Sequence, residues 1–589
     1  MSFVLKKRSR GSSRQVPLTL IGGIRRDLNM FIPGNGLWTC DGFHTNDSGA
    51  IKKWPGFVKD NPTGLGARCD GLYQVNLAGT TYKVGMAGGI IKRVDVNPPT
   101  NILSGLTAGP VDAKVLGNYL FAVNGIEENK KIDSSLGASK MGIVAPTFTM
   151  TAADSAIAGV PNGDLSYKAT YANTATGRES DPSPVSNTVT VASKKVTLTG
   201  FTASADPQVD RIYIYRTVDG GNRWLFVDEI NDTDLSYTDN AADADLAEEI
   251  ADTNGVPPLA KYLEVYNGML VLAGLASPNQ SRVAFTGVLL PESHDVDDIY
   301  DLDPEEPDGI TGLAKFGNYL AAFKKQGLFL GQGDDPAFMQ FSRAKGVTQG
   351  SLSHWGIIPY QGGLYYPSSH GFYVFDGVQE HYISQGIESI YHGLELAPTV
   401  PISGIFYPAL NSMMWACTTA GLSGTPDTLI IYNVKSKEWT TRPLAAARLT
   451  TFLNSTGQTR MWVGHQDGRI WEGDIGNNDD EAAFTAVFVS RAGDLDERNV
   501  PSLNQFRNIH ILFDTVVGSS SVVTVSYALN DPNGTYTTAG TFTPSSGPAV
   551  NFDINGQGLR IFVKISVTST EAFTIRAVNV SGHPLGRYI

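Results

Sequence analysis

Cysteine is scarce in this chain of 589 residues, where it occurs only at positions 40, 69 and 417. An odd number of widely spaced cysteines without a Cys-x-x-Cys pair fits neither a disulfide framework nor a zinc knuckle. Long apolar runs are also missing, because none reaches the roughly 18 residues that a membrane helix needs. The sequence therefore predicts no membrane span and no fold held together by disulfide bonds or structural zinc.

The motifs of several common enzyme sites are missing as well. The sequence contains no Gly-x-Ser-x-Gly, no His-Glu-x-x-His and no Walker phosphate-binding loop. Its nine histidines form no i, i+4 pair on a predicted helix. We therefore predict no catalytic residues, no bound metal and no cofactor, and we expect that the protein is not an enzyme.

Charged residues make up only 17% of the chain, and the net charge of -13 argues against a surface that coats nucleic acid. The start of the chain reverses this balance, because seven basic residues precede the first acidic one, Asp27. A signal peptide is one interpretation, but the apolar stretch that follows is short, contains Pro17 and lacks a small-x-small cleavage site. We instead predict a basic arm over residues 1–30 that docks on a partner. Its candidate docking residues are Lys6, Lys7, Arg8, Arg10 and Arg14.

Glycine is abundant, and strand-like runs joined by Gly, Asn and Asp turns recur along the chain. The tetrapeptide Gly-Asn-Tyr-Leu occurs at residues 117–120 and again at 317–320, each time ahead of an apolar run. Seven such hairpins start at Thr81, Tyr119, Met269, Tyr319, Leu364, Met413 and Arg460. All but one of the steps between these starts are 38 to 50 residues long, which is typical of four-stranded propeller blades. We predict an all-β fold with a β-propeller-like repeat domain; independent hairpins in unrelated domains are the alternative.

One step of 150 residues interrupts this period. Residues 148–257 alternate between strands and turn clusters like a fibronectin or immunoglobulin-like sandwich, and subtracting these about 110 residues restores the spacing. The predicted organisation is a propeller over residues 31–147 and 258–480, an inserted sandwich over 148–257 and a C-terminal β-sandwich over 481–589. The insert also contains TVDGGNRW at residues 217–224, which matches the Asp-box of sialidase propellers. A single copy outside the blades predicts a structural turn.

The strongest charge feature is an acidic run between residues 295 and 308. The run lacks the glycine that an EF-hand has at its sixth loop position, although Ca²⁺ binding by another geometry stays open. Paired carboxylates for glycoside hydrolysis are a second possibility, whose separation no sequence can establish. A solvated loop is the third interpretation, and a surface that repels a passing polyanion is the fourth. For that last interpretation the candidate lumen-lining residues are Asp295, Asp297, Asp298, Asp301 and Asp303.

The segment GGIRRDLNMFIPGNGLWTCDGFHTNDSGAIKKWPGF, residues 22–57, resembles the opening of tail nozzle (tail hub) proteins of short-tailed bacteriophages. Openings in that family end on Gly-x-x-x-[Lys/Arg]-x-Pro-Gly-[Phe/Tyr]. The matching residues are Gly49, Lys53, Pro55, Gly56 and Phe57. The segment EPDGITGLAKFGNYLAAFKKQGLFL, residues 306–330, is similar to the central blade segment of the family.

The resemblance implies a structural protein of the virion tail, made in the host cytoplasm, of which six copies form a ring at the distal end of the tail. The implied partners are further copies of the chain, a tail adaptor ring, tail fibres or spikes, and DNA that passes through the lumen without specific binding. Two other functions stay open. One is a carbohydrate-active propeller, and the other is a module that binds host glycans through some of its 26 Phe, 23 Tyr and 8 Trp residues.

Overall fold

The computed structural model of this protein is almost entirely β-structure, which confirms the predicted fold class. It describes residues 13–18, 20, 22–26, 36–46, 49–306, 308–397, 401–422, 424–454, 456–495 and 502–587. Within these ranges the α-helix is Glu388–Tyr391, and the 3-10 helices are Asp243–Asp245, Pro336–Phe338, His354–Gly356, Pro408–Leu410 and Pro544–Ser546. The described residues divide into two compact units. The first comprises residues up to Gln74, Lys83–Asn101 and residues from Lys345 onward; the second comprises Val75–Tyr82 and Ile102–Ala344.

Seven groups of four hydrogen-bonded strands form the propeller-like repeat, and we number them blades 1 to 7 in chain order. Blade 1 is Cys69–Leu77, Thr80–Ala87, Ile90–Arg93 and Thr100–Leu103; blade 2 is Asp112–Leu116, Tyr119–Val123, Lys130–Ile132 and Ala138–Lys140. Blade 3 is Tyr262–Tyr266, Met269–Ala273, Arg282–Phe285 and Ile299–Asp301; blade 4 is Gly312–Phe316, Tyr319–Lys324, Gly327–Gln332 and Gln340–Arg343. Blade 5 is Ile358–Tyr360, Gly363–Ser368, Gly371–Phe375 and Glu380–Tyr382; blade 6 is Ser403–Tyr407, Ser412–Cys417, Thr428–Asn433 and Glu438–Pro443. Blade 7 is Ala446–Leu453, Thr459–His465, Ile470–Gly473 and, from near the start of the chain, Phe57–Asn61.

The predicted hairpins coincide with the second and third strands of these blades. In blades 2 and 4 the repeated Gly-Asn-Tyr-Leu forms the turn that enters the second strand. Gly117 and Gly317 have φ angles of +62° and +58°, which a side chain would strain and which suit the first position of a tight hairpin turn. The following Leu120 and Leu320 are buried, at 1% and 0% exposure. The repeated tetrapeptide therefore encodes a hairpin turn at its glycine and a buried core position at its leucine.

The inserted residues form three small sheets in the second unit. Their strands are Thr151–Ala158, Lys194–Thr199 and Ser236–Asp239; Gly163–Leu165 and Val189–Val191; and Arg178–Glu179, Tyr167–Asn173, Arg211–Arg216 and Leu225–Asn231. Alternate residues of these strands, such as Leu165, Tyr167, Ile212 and Ile214, are fully buried in one core cluster. This alternation is the reason why the segment reads as a sandwich in the sequence. The exact domain boundaries stay predictions.

The C-terminal strands form two sheets in the first unit together with strands from the start of the chain. One sheet contains Phe43–Thr45, Ile51–Lys53, Thr574–Arg587, Ser502–Phe513 and Ala549–Gly558, with Arg14–Leu18 paired to Thr574–Arg587. The other extends blade 6 through Leu37–Asp41, Phe484–Ser490, Ile561–Ser569, Val523–Leu529 and Thr537–Phe542. The sequence assigned residues 31–61 to the propeller, whereas the structure pairs most of their strands with C-terminal ones. Burial explains this difference, because Leu37, Phe43 and Ile51 are 0% exposed within the core that these sheets share.

Candidate functional site

The predicted basic arm lies mostly outside the described residues. Lys6, Lys7, Arg8 and Arg10 belong to that part, and their predicted docking role stays a prediction. Arg14 is described and begins the strand Arg14–Leu18, which pairs residue by residue with the strand from Val578 to Gly582. Residues Arg14–Leu18 of the predicted arm are thus a strand of the C-terminal sheet.

Four residues of the motif that ends the family-like opening, Lys53, Pro55, Gly56 and Phe57, meet at one buried junction in the first unit. Gly56 donates its backbone N–H to Gly476 O at 3.0 Å, and Phe57 donates its own to Asn478 O at 3.0 Å. A Cβ added to Gly56 would lie 1.8 Å from Asn478 O. Phe57 then begins the strand that completes blade 7. The Pro-Gly-Phe ending therefore has a structural reason: only glycine lets the two backbones approach this closely.

Lys53 supplies a buried cation to this junction. Lys53 is 2% exposed, and its Nζ donates to Asn477 O at 2.6 Å and to Ser569 O at 2.8 Å. The ammonium also lies 3.8 Å from the centroid of the Phe484 ring. Burial lowers the pKa of Lys53 to about 8, because the charged form loses its hydration. The lysine thereby ties Ile51–Lys53 to two other segments of the unit.

Arg442 of blade 6 is the second buried cation, with 1% exposure. Its Nη1 donates to Pro55 O at 2.7 Å and its Nη2 to Asp479 Oδ1 at 2.6 Å. The guanidinium carbon lies 4.4 Å from the Phe57 ring and 4.7 Å from the Phe484 ring. Burial lowers the pKa of Arg442 and raises that of Asp479. The sequence identified Lys53 through the motif, but it held no signal for Arg442 or Asp479, which come from distant positions.

The acidic run belongs to the second unit, and its later half is ion-paired. Arg282 Nε lies 3.2 Å from Asp301 Oδ2, and Arg343 Nη1 lies 3.1 Å from Asp303 Oδ2. The buried Lys324 ammonium donates to the carbonyl of Asp303 at 2.7 Å and so fixes the backbone. The charges of Asp301 and Asp303 are thus balanced by nearby arginines, so these two residues would repel a passing polyanion less than unpaired carboxylates would. The predicted lumen-lining role of the run stays a prediction.

The earlier half of the run and the 3-10 turn at Pro336–Phe338 together form a different surface, which we call the acidic-apolar surface. Its members are Asp295, Val296, Asp297, Asp298, Asp335 and Phe338. Val296 and Phe338 are 77% and 75% exposed. Burial and then the charges of Asp295, Asp335 and Asp297 raise the pKa of Asp298 to about 6. The charges that raise the pKa of Asp298 all belong to carboxylates, those of Asp295, Asp335 and Asp297.

We predict that Asp298→Asn stabilises the protein at neutral pH. Because the folded-state pKa is raised, the ionised carboxyl opposes folding, and stability is lost as pH rises from about 4 through about 6. The gain at pH 8 should stay below about 1 kcal/mol, since most of this side chain is screened by solvent. Thermal unfolding of both proteins at pH 4 and pH 8 checks this. An equal gain at both pH values would contradict it.

The Asp-box segment forms a turn, as its structural interpretation requires. Asp219 Oδ1 accepts a hydrogen bond from Asp164 N at 2.8 Å, and Gly220 donates its N–H to Asp164 O at 3.2 Å. Trp224 lies beneath the ammonium of Lys168, which is 4.8 Å from the indole ring. These contacts account for the motif by cross-linking two segments of the inserted sandwich.

We expect Asp219→Ala to cost about 1 kcal/mol, the contribution of one exposed hydrogen bond to a backbone donor. Chemical denaturation of the whole chain measures this cost. Asp228→Ala in the same sandwich serves as the matched comparison, because it also removes an exposed carboxylate that accepts from a backbone N–H, that of Glu229 at 2.9 Å, and from the Tyr237 hydroxyl at 3.0 Å. A loss above about 3 kcal/mol for Asp219→Ala would show that Asp219 stabilises the sandwich through more than its hydrogen bond with Asp164 N.

The described residues contain no group of three or more His, Cys, Asp or Glu side chains placed to hold a metal ion. All three cysteines are buried and free, and burial raises the pKa of the Cys69 thiol to about 12. These thiols therefore stay protonated and have little nucleophilic character at neutral pH. In the described part of the chain, no helix is long and apolar enough to span a membrane.

No protein-family model matches the chain, and no curated protein matches it either. Among solved structures it is similar to BBS1N in complex with ARL6DN, at 9% identity over 72% of this chain and 98% of that one, with a TM-score of 0.27. It is also similar to an exo-β-1,3-galactanase from Phanerochaete chrysosporium, at 11% identity over 74% of this chain and 100% of that one, with a TM-score of 0.18. A third is apo AztD from Citrobacter koseri, at 11% identity over 84% and 97% of the two chains, with a TM-score of 0.21. Likenesses this weak carry no argument about function.

Proposed function

We propose that this chain is a structural protein of a short-tailed bacteriophage tail, a nozzle that forms a ring at the distal end through which DNA leaves. One observation carries the proposal: the Gly49–Phe57 ending that resembles the family is folded into the Lys53 and Arg442 junction. The residue types of Lys53, Gly56 and Phe57 are explained by their contacts there, and Pro55 contributes its backbone carbonyl. Four of the five matching residues meet at this one buried point, whereas Gly49 lies in the preceding turn, where its N–H donates to Asn46 O at 3.0 Å; this clustering supports a shared architecture.

In this proposal the blades and sandwiches are the scaffold, and loops make the contacts with an adaptor ring and with fibres or spikes. The net charge of -13 suits a passage for DNA. Neutralising phosphates would create salt-dependent binding and slow the duplex, whereas an acidic protein avoids such retention. The function then depends on geometry and interfaces and needs no catalytic group.

Electron microscopy of the purified full chain, alone and with adaptor-bearing capsids, tests the proposal. We expect closed rings of six copies at the distal end of the adaptor, with a continuous opening along the ring axis. The matched control is the same capsid without added chain. A chain that stays monomeric on adaptor-bearing capsids would rule out the nozzle.

One observation favours host-glycan binding as a second candidate function. A cavity of about 150 Å³ lies on the face of blade 6, lined by Trp54, Asn433, Glu438 and Thr440 among others. An aromatic ring beside amide, carboxylate and hydroxyl groups is a composition that suits a sugar. Binding of the purified chain to a glycan array, lost in Glu438→Gln, would support this function; hydrolysis of the bound glycan would point to the carbohydrate-active alternative.

A further inference from the structure

The acidic-apolar surface holds two exposed apolar side chains on turns that are fixed by hydrogen bonds. Asp295 Oδ1 accepts from Asp297 N and its carbonyl accepts from Asp298 N, both at 3.0 Å, so the turn that carries Val296 is closed. Phe338 ends a 3-10 helix whose N-cap, Asp335, accepts from Ala337 N at 3.0 Å. Val296 and Phe338 are thus exposed on closed turns that also carry carboxylates.

The two turns are joined to each other. The Tyr300 hydroxyl, two residues beyond Asp298, donates to Pro336 O at 2.6 Å. Asp335 is close enough to Asp298 to raise its pKa. The turns that carry Val296 and Phe338 are therefore linked, and no described cation pairs with their four carboxylates at salt-bridge distance, in contrast to Asp301 and Asp303 of the same run. A complementary partner would combine apolar and cationic side chains.

The chain contains such a segment at its own start. Residues 3–10 read Phe-Val-Leu-Lys-Lys-Arg-Ser-Arg, three apolar residues followed by four cations within five positions. The strand that follows begins at Arg14 and pairs with the C-terminal sheet. Twelve residues of the sequence thus precede the first described one, and fully extended they span up to about 40 Å.

We propose that residues 3–10 of one copy of this chain bind the acidic-apolar surface of a second copy, with Lys6, Lys7 and Arg8 against the carboxylates and the apolar triplet against Val296 and Phe338. The inference rests on the proposed ring. A closed ring uses two different surfaces of the same chain at every interface, and each chain offers one arm and one acceptor.

The first experiment measures the contact without any ring. A labelled peptide of residues 1–14 is titrated into the full-length K6E/K7E/R8E chain, whose own arm is repelled by the surface. We expect saturable binding that weakens with added salt. Adding D297N/D298N to the chain, which removes two carboxylates without attracting the reversed arm, should weaken binding roughly ten-fold, and F338S should weaken it without changing the salt dependence.

The control for charge is D245N/E248Q, which removes the same two negative charges at exposed residues of the insert. It should leave peptide binding unchanged. D297K/D298K is expected to fold, because it removes repulsion between carboxylates and the backbone bonds of this turn come from main-chain donors. Circular dichroism and thermal unfolding verify that fold.

The second experiment decides which copy supplies the arm. The K6E/K7E/R8E chain and the D297K/D298K chain should each fail to assemble by light scattering. Their equimolar mixture should assemble, since each reversed arm then meets a reversed surface on the other chain. A single chain that carries both changes should assemble by itself.

Several results would overturn the inference. One is peptide binding that D297N/D298N leaves unchanged, and another is an equal loss with D245N/E248Q. A third is a mixture that stays unassembled while the combined variant assembles, which would place each arm on its own chain. D297K/D298K particles that assemble normally but eject DNA slowly would assign the surface to the lumen. Failure of the proposed function is a separate result: the wild-type chain forms no ring on capsids while the peptide still binds, and the contact then joins copies outside a ring.

Discussion

Replacing Gly56 with alanine is expected to destabilise the first unit by about 3 kcal/mol or more. The added Cβ would meet Asn478 O at 1.8 Å and Asn478 N at 2.5 Å. Both are backbone atoms, so no rotation of a side chain relieves the clash. The segment of Phe57 or that of Asn478 has to move, and the strand that completes blade 7 loses its hydrogen bonds. Urea unfolding followed by tryptophan fluorescence measures the change.

Gly393→Ala is the matched control for this experiment. The nearest atom to its added Cβ is Ile390 O at 3.3 Å, which a small local shift accommodates. We expect this control to cost less than about 1 kcal/mol. If Gly56→Ala were as stable as the control and yet lost attachment to adaptor-bearing capsids, the Pro-Gly-Phe ending would be a docking motif, and the junction would not explain it.

Arg442→Met should cost about 3–5 kcal/mol, the range for removing one partner of a buried ion pair. The variant leaves the Asp479 carboxylate buried without its cation and leaves Pro55 O without its donor. The lost cation should raise the pKa of Asp479 further. Because ionised Asp479 then opposes folding, the deficit should be larger at pH 8 than at pH 5. Denaturation at both pH values measures it.

Two further variants separate charge from packing at this position. Arg442→Met with Asp479→Asn should recover part of the loss, because the Asp479 carboxylate is then no longer buried without its guanidinium partner. Arg460→Met breaks a half-exposed pair with Asp474, at 3.5 Å, and should cost less than about 1 kcal/mol. A deficit that is independent of pH and unchanged by Asp479→Asn would mean that lost packing on Phe57 and Phe484 accounts for the whole effect.

The sequence by itself determined the fold class and the blades. Period-two runs and glycine turns act within a few residues, so the residue pattern alone locates the seven hairpins. Gly117 and Gly317 show why: a positive φ at a two-residue turn selects glycine whatever lies elsewhere in the chain. The inserted sandwich could be predicted for the same reason, because burial of every second residue, as at Leu165 and Tyr167, produces an alternating apolar pattern in the sequence.

Only the tertiary structure decided which distant segments pair. The strands Leu37–Asp41 and Ile51–Lys53 have the same local pattern as blade strands, yet they join C-terminal strands because their buried faces fill a core made there. The same limit applies to the sites. Arg442 and Asp479 meet Lys53 from positions that no spacing rule connects, and the acidic run divides into a paired and an unpaired half because Arg282 and Arg343 reach only the later one. Local patterns encode turns and strand faces, whereas charge pairing and core membership depend on contacts between residues that are distant in the chain.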